Sequence, residues 1–148
     1  MPDTPPHYDH VGRALSRIAL AAVFVSGGHH VWRHPDGPAQ GAETFLKRCR
    51  RAVPLLDRFT DRQLVRANAA VHVTAGAALA AGIAPAACSA ALAGSLVPTT
   101  LAAFPFWTQP DGPQRAHQQG DFLKNLALAG GLLAVIVHGE RRTRRTSG

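Results

Sequence analysis

The sequence predicts an all-α integral membrane protein, a four-helix antiparallel bundle with a short amphipathic helix in its first loop. Residues 67–110, roughly forty-four in a row, include no Asp, Glu, Lys or Arg, and about twenty apolar residues are enough to span a bilayer. Basic residues flank the apolar runs instead of alternating with them. No run shows the period-two alternation of a strand.

The average composition, with 46% hydrophobic and 17% charged residues in 148, resembles that of a soluble protein. The segregation of polar and apolar residues along the chain overrides this average. The length allows one domain. We therefore divide the chain into a polar N-terminal tail (1–12), a four-helix transmembrane domain (13–139) and a basic C-terminal tail (140–148).

The formal net charge of +7 would suit a protein that binds nucleic acid. The cations lie beside the apolar runs, where they can meet phospholipid headgroups, so the predicted partner is the lipid bilayer and not nucleic acid. Cys49 and Cys88 form no CxxC motif, which excludes a local redox dithiol and a cysteine-rich zinc site. The predicted topology separates them by about 30 Å, beyond disulfide reach.

The first predicted crossing covers residues 14–32, with Arg17 and Trp32 as anchors at its two interfaces. It is read as a retained helix, since no small-residue cleavage pattern follows it. The amphipathic piece comes next, either lying on the membrane surface or packed on the end of the bundle. Its apolar side is Phe45, Leu46, Cys49 and Val53, and its basic side Lys47, Arg48, Arg50 and Arg51.

The second predicted crossing covers residues 61–83 and opens with a capping box from Thr60 to Gln63. The third runs from Pro85 to Trp107, a further interface anchor. Pro98 should kink it, with Thr99 or Thr100 helping to satisfy the freed backbone. The fourth covers residues 121–138.

Antiparallel crossings bring one set of polar residues to the same membrane face. Ionisable groups inside a membrane usually face a bundle interior or a wet cavity, so we predict a polar pocket that opens on the long-loop face. Structural alternatives remain open, namely interfacial solvation, interhelical hydrogen bonding, headgroup contact and helix capping. The predicted pocket residues are His29, His30, Asn68, His72, Asp121, Lys124 and Asn125.

No catalytic residues are assigned, because the sequence has no nucleophile–base arrangement, phosphate-binding loop or cofactor fingerprint. Haem is disfavoured, since His72 has no histidine at matching depth on a facing helix. No ligand spacing supports a metal site.

The second half of the chain contains four distinctive sequence segments, and the last of them is the most distinctive. They are LVPTTL (96–101), PFW (105–107), QPD (109–111) and FLKNLALAGGLL (122–133).

Together with the first helix, these segments resemble the DoxX family. The resemblance implies a small four-helix protein of the bacterial inner membrane, and family members have been associated with oxidoreductase assemblies, including quinone-linked ones. Lys124 and Asn125 are the best-matched polar positions. The chain departs from the family at Ala103-Phe104, where relatives often read Gly-His, and at His138, where they often carry an acidic residue.

Two functions follow as hypotheses. One is a membrane subunit or anchor of a redox complex, with redox proteins as partners and quinone as a candidate cofactor. The other is a transporter or binding protein for a small molecule or lipid, without redox activity. Small residues on several helices leave a homo-oligomer open. The basic residues on the two sides conflict with the family's cytoplasmic termini, so orientation is open.

Overall fold

The computed structural model describes the backbone of residues 6–146 and the side chains of residues 11–137, and this part of the chain is all-α, as predicted. Two short 3-10 helices, Pro54–Arg58 and Phe106–Thr108, lie in the connections. The five α-helices are α1 (Pro6–Arg33), α2 (Asp36–Ala52), α3 (Asp61–Ala80), α4 (Pro85–Ala103) and α5 (Pro113–Thr146).

The four long helices pack side by side. Helix α1 packs along α3, α3 against α4, and α4 against α5, while α5 touches α1 at only a few points. The shorter α2 contacts both α3 and α4. It therefore covers the end of the bundle where α1 ends and α3 begins, which we call the α2 end.

Three helical stretches are long and apolar enough to cross a membrane: Val11–Arg33, Pro85–Thr108 and Pro113–Val137. Many of their large apolar side chains are exposed, among them Val97 and Leu126, as lipid-facing positions would be. Helix α3 is not among the helices that are long and apolar enough to cross a membrane. Its crossing therefore remains a prediction.

The helices extend beyond the apolar stretches. Residues 6–12 of the predicted N-terminal tail belong to α1, and residues 140–146 of the predicted C-terminal tail belong to α5. Helix α5 also begins at Pro113, where proline suits the first helical turn. Hydropathy marks the part of a helix that can contact lipid, not where the backbone stops being helical. The side chain of His138 lies outside the described residues.

The predicted capping box at the start of α3 is confirmed. The backbone N–H of Gln63 donates to Thr60 Oγ1 at 3.2 Å, and the backbone N–H of Thr60 donates to Gln63 Oε1 at 2.9 Å. Such a cap stabilises a helix by about 1 kcal/mol. At the other end, Ala84 (φ 41°) and Gly82 (φ 74°) make the tight left-handed turn into α4.

Helices α1 and α3 approach closely because glycines lie between them. A Cβ on Gly28 would lie 2.8 Å from His72 Cβ and 2.9 Å from the Ala69 carbonyl oxygen. A Cβ on Gly76 would lie 2.9 Å from Val25 Cγ2. Small residues at such contacts are typical of membrane helix pairs, which depend on close van der Waals packing.

Candidate functional site

A row of amide and hydroxyl groups joins three helices around Pro98 of α4. Asn68 Nδ2 of α3 donates to Thr99 Oγ1 at 2.7 Å, and Asn125 Nδ2 of α5 donates to Thr100 Oγ1 at 3.0 Å. Because Thr99 and Thr100 are consecutive, α4 receives one asparagine from each neighbour. We call these four residues the polar belt.

The threonines of the polar belt are themselves fixed to the backbone of α4. Thr99 Oγ1 donates to the Ser95 carbonyl at 2.9 Å, and Thr100 Oγ1 donates to the Leu96 carbonyl at 2.8 Å. Pro98 removes the helical donor of the Gly94 carbonyl. The hydroxyls thus bond the carbonyls of Ser95 and Leu96, which follow Gly94, and not the freed Gly94 carbonyl that they were predicted to help satisfy.

A groove of about 170 Å³ runs between α4 and α5 beside the polar belt. Its surface is almost entirely apolar, and Thr100 and Asn125 are its polar side chains. We call it the α4–α5 groove. It is lined by Ala93, Leu96, Val97, Thr100, Leu101, Phe122, Asn125, Leu126 and Ala129.

Three aromatic rings meet where α4 ends and α5 begins. Phe106 lies edge-on to Trp107 and to Phe122, with ring centroids 5.2 and 5.4 Å apart, and Trp107 and Phe122 are 6.1 Å apart. Edge-to-face pairs contribute about 0.5–1.5 kcal/mol beyond the area they bury. Phe122 also lines the α4–α5 groove, so this cluster rigidifies one end of it.

The other two predicted anchors lie at opposite ends of the bundle. Trp32 is exposed at the α2 end, and the Arg66 guanidinium carbon lies 6.0 Å from its ring centroid, a cation–π distance. Arg17 packs at the far end, where its Nη2 would lie 3.4 Å from a Cβ on Gly82. Their role as interface anchors stays a prediction.

His72 is apart from the polar belt. Its side chain faces α1, where the ring lies edge-on to Phe24 at 5.3 Å. The residue is 9% exposed, and its Nε2 has no hydrogen-bond partner among the described residues. It is a buried packing residue between α1 and α3 in this arrangement.

Of the remaining predicted pocket residues, His29, His30 and Lys124 are exposed and Asp121 is half-buried. His30 packs beside His34 at 5.2 Å. Lys124 Nζ donates to Asp121 Oδ1 at 2.8 Å, and His117 Nε2 lies 3.3 Å from Asp121 Oδ2.

Of the seven predicted pocket residues, Asn68 and Asn125 therefore belong to the polar belt, where both bond to α4. The other five lie elsewhere on the bundle. For Thr99 and Thr100 the sequence pattern predicted backbone repair alone. A signal for their second role was available, because an amide in mid-span needs a partner on the next helix.

Arg50 was also placed differently by the sequence pattern. It was predicted on the basic outer side of α2, yet its side chain is only 19% exposed. Its Nη2 lies 2.6 Å from Asp61 Oδ1 and donates to the Phe59 carbonyl at 2.9 Å, while Nε lies 3.8 Å from Asp57 Oδ1. Arg50 thus ties α2 to the following 3-10 turn and to α3.

Between α2 and α3 is a second, open cleft of about 340 Å³. Arg62 pairs with Asp36 across it, so its charges are largely matched.

Cys49 and Cys88 are both free thiols. No group of three His, Cys, Asp or Glu within the described side chains could hold a metal ion.

No protein-family model, curated protein or solved structure matches this chain.

Proposed function

We propose that this chain is a four-span protein of the bacterial inner membrane that anchors a redox complex, with the α4–α5 groove as its working site. The observation that carries the proposal is a polar pair, Thr100 and Asn125, set in an otherwise apolar groove. Ligand sites usually combine apolar walls with a few placed polar groups. The DoxX-like segments 96–101 and 122–133 contain both of these residues and support the redox assignment.

The fourth span of this proposal is α3. Its polar side chains Asn68 and His72 are turned toward neighbouring helices, the first bonded to Thr99 and the second buried against Phe24. Polar residues in membrane helices are tolerated where they face other helices. Helix α3 packs on α1 and on α4, which cover its Asn68 and His72 side, while Val71 and Thr74 are exposed.

Counting the spans tests this directly. We expect reporter fusions at the N-terminus and at the C-terminus to report the same side of the membrane, because four crossings return the chain to its starting face. Three crossings, with α3 outside the bilayer, would place the two reporters on opposite sides and contradict the proposal. The same pair of fusions establishes which face carries α2.

The groove has the chemistry to hold a carbonyl-bearing ring. Asn125 uses one amide hydrogen on Thr100, and a primary amide has a second hydrogen and a carbonyl oxygen to offer. Leu101 and Leu126 supply apolar contact on either side. At about 170 Å³ the groove is smaller than a typical ligand site of ~300 Å³ or more, so it suits a ring or a chain segment whose remainder lies in lipid.

A quinone meets this description, and when bound it would supply two-electron redox chemistry. Asn125 would donate a hydrogen bond to a quinone oxygen, and the apolar walls would exclude water from the ring. Thr100 holds the Asn125 amide in place. No other residue that lines the groove offers a strong hydrogen-bond donor side chain.

Quinone content tests the assignment. We expect wild-type protein purified in mild detergent to retain quinone, and Asn125→Leu to lose most of it, since a lost hydrogen bond of ~1.5 kcal/mol lowers affinity about tenfold. Asn68→Leu is the matched control, because it removes the other asparagine of the polar belt but does not line the groove. Absence of quinone and of redox proteins from the wild-type preparation would refute the redox role.

A second candidate is a lipid-binding or transport protein without electron chemistry. The almost wholly apolar lining of the α4–α5 groove favours it, since an acyl chain needs no polar partner. Ala129→Phe, which places a large side chain in the α4–α5 groove, separates the two candidates. Loss of lipid or solute flux with unchanged resistance of cells to oxidants would favour transport, and the reverse result would favour the redox complex.

A further inference from the structure

The cations at the α2 end fall into two groups. Five have carboxylate partners, which leaves little net charge where they lie, whereas Arg66 lies by Trp32 and Arg33 ends α1. The paired cations are Lys47 with Glu43, Arg50 with Asp57 and Asp61, Arg62 with Asp36, Arg115 with Asp111, and Lys124 with Asp121.

Three arginines of one short segment differ from these. Arg48, Arg51 and Arg58 are exposed, and none forms an ion pair or a hydrogen bond with another side chain in the part of the chain that the structure describes. Arg48 and Arg51 are three residues apart on α2, so their side chains are neighbours on one helix face. The segment therefore carries unmatched positive charge.

Exposed apolar side chains lie within the same segment. Val53, Leu55 and Phe59 are 48%, 58% and 46% exposed. The 3-10 helix Pro54–Arg58 has about three residues per turn. Leu55 and Arg58 consequently lie on the same side of it, an apolar group beside a cation.

This arrangement is held in place. Arg50 binds the Phe59 carbonyl and lies against Asp57, so the 3-10 turn is fixed to α2 at both its middle and its end. Buried Ala39 and Ala42 dock the first half of α2 on the bundle. The unmatched arginines and exposed apolar side chains are therefore presented by a rigid element.

We propose that Arg48, Arg51, Leu55 and Arg58 form a binding surface for anionic phospholipid in the leaflet next to α2, which we call the arginine–leucine surface. The inference rests on the membrane-spanning arrangement proposed above. Guanidinium groups bind phosphate through paired hydrogen bonds, and each basic residue at an anionic surface adds attraction. Leu55 would enter the apolar edge of the headgroup layer. A nucleic acid would match the charge but offers Leu55 no apolar layer to enter.

The test uses full-length protein in bilayers of phosphatidylcholine with a minor fraction of phosphatidylglycerol. Spin-labelled forms of the two lipids measure the preference of the protein for one over the other. We expect the wild-type protein to prefer phosphatidylglycerol, and the triple variant Arg48→Gln/Arg51→Gln/Arg58→Gln to lose about tenfold of that preference. Raising salt from about 0.15 M to about 1 M should weaken the wild-type preference and leave the variant unchanged.

A second triple variant, Lys47→Gln/Arg62→Gln/Arg115→Gln, changes net charge equally at the same end of the bundle. We expect it to keep the preference within about twofold, because its cations already have partners at short range and distant charge is screened. Equal loss in both triple variants, or no preference in the wild-type protein, would overturn the arginine–leucine surface. Recovery of the protein from cells without detergent would instead overturn the membrane-spanning proposal on which the surface rests.

Discussion

Gly28→Val is expected to destabilise the bundle by about 3 kcal/mol, the upper part of the range for overpacking a tight interface. The added Cβ alone would lie 2.8 Å from His72 Cβ and 2.9 Å from the Ala69 carbonyl oxygen. The second of these contacts is with backbone, so α1 and α3 must move apart. The change is measured as the free energy of unfolding in a mixed-detergent titration.

Gly27→Val is the matched control, since a Cβ at Gly27 has no heavy atom within 4 Å beyond its own helix. The same residue type is introduced one position along the same helix, so helix propensity and side-chain hydrophobicity are equal. We expect a change of about 0.5 kcal/mol or less for this variant. Similar losses in the two variants would show that α1 does not contact α3 through Gly28.

Arg50→Met is expected to lower the free energy needed to detach α2 from the bundle by about 2 kcal/mol. Methionine keeps the length of the side chain, but it leaves the Asp61 carboxylate and the Phe59 carbonyl without their guanidinium partner. An unpaired, partly buried polar group costs about 1–3 kcal/mol. The result is a larger open population of α2, not loss of the four long helices.

Cys49 reports this opening, because it is a free, half-buried thiol on α2. A change of 2 kcal/mol should raise its rate of alkylation by a water-soluble maleimide roughly thirtyfold when opening limits access. Cys88, near the start of α4, should react at an unchanged rate in the same sample. Arg51→Met is the control, since Arg51 is exposed on the same helix and should leave the rate within about twofold. Equal acceleration by the two variants would disprove the role of Arg50.

Local signals in the sequence were sufficient for the helices themselves. The Thr60–Gln63 capping box and the turn before Pro85 depend on neighbouring residues only, so the pattern determines them. The apolar stretches likewise follow from composition. Helix ends at Pro6 and Thr146 were not predictable from hydropathy, because polar residues continue a helix as readily as apolar ones once it has formed.

The candidate site depends on the rotation of each helix, which no local pattern determines. Asn68 and His72 are four residues apart and about 40° apart around the axis of α3. That difference is enough for one to reach α4 and the other α1. The prediction for Arg50 was wrong for a related reason. Its long side chain reaches from α2 to the Phe59 carbonyl and to Asp61, contacts that the pattern of α2 alone does not reveal.

The short turn between α3 and α4 has a consequence for biogenesis. By length and composition α4 could cross a membrane by itself, whereas α3 does not reach the same apolarity. Only residues 81–84 separate them, so the two helices leave the ribosome in immediate succession. If α3 spans the bilayer as proposed, we therefore expect it to enter together with α4 as a hairpin, with the Asn68 side chain already hydrogen-bonded to Thr99. A nascent chain that stops before α4 would keep α3 on the aqueous side.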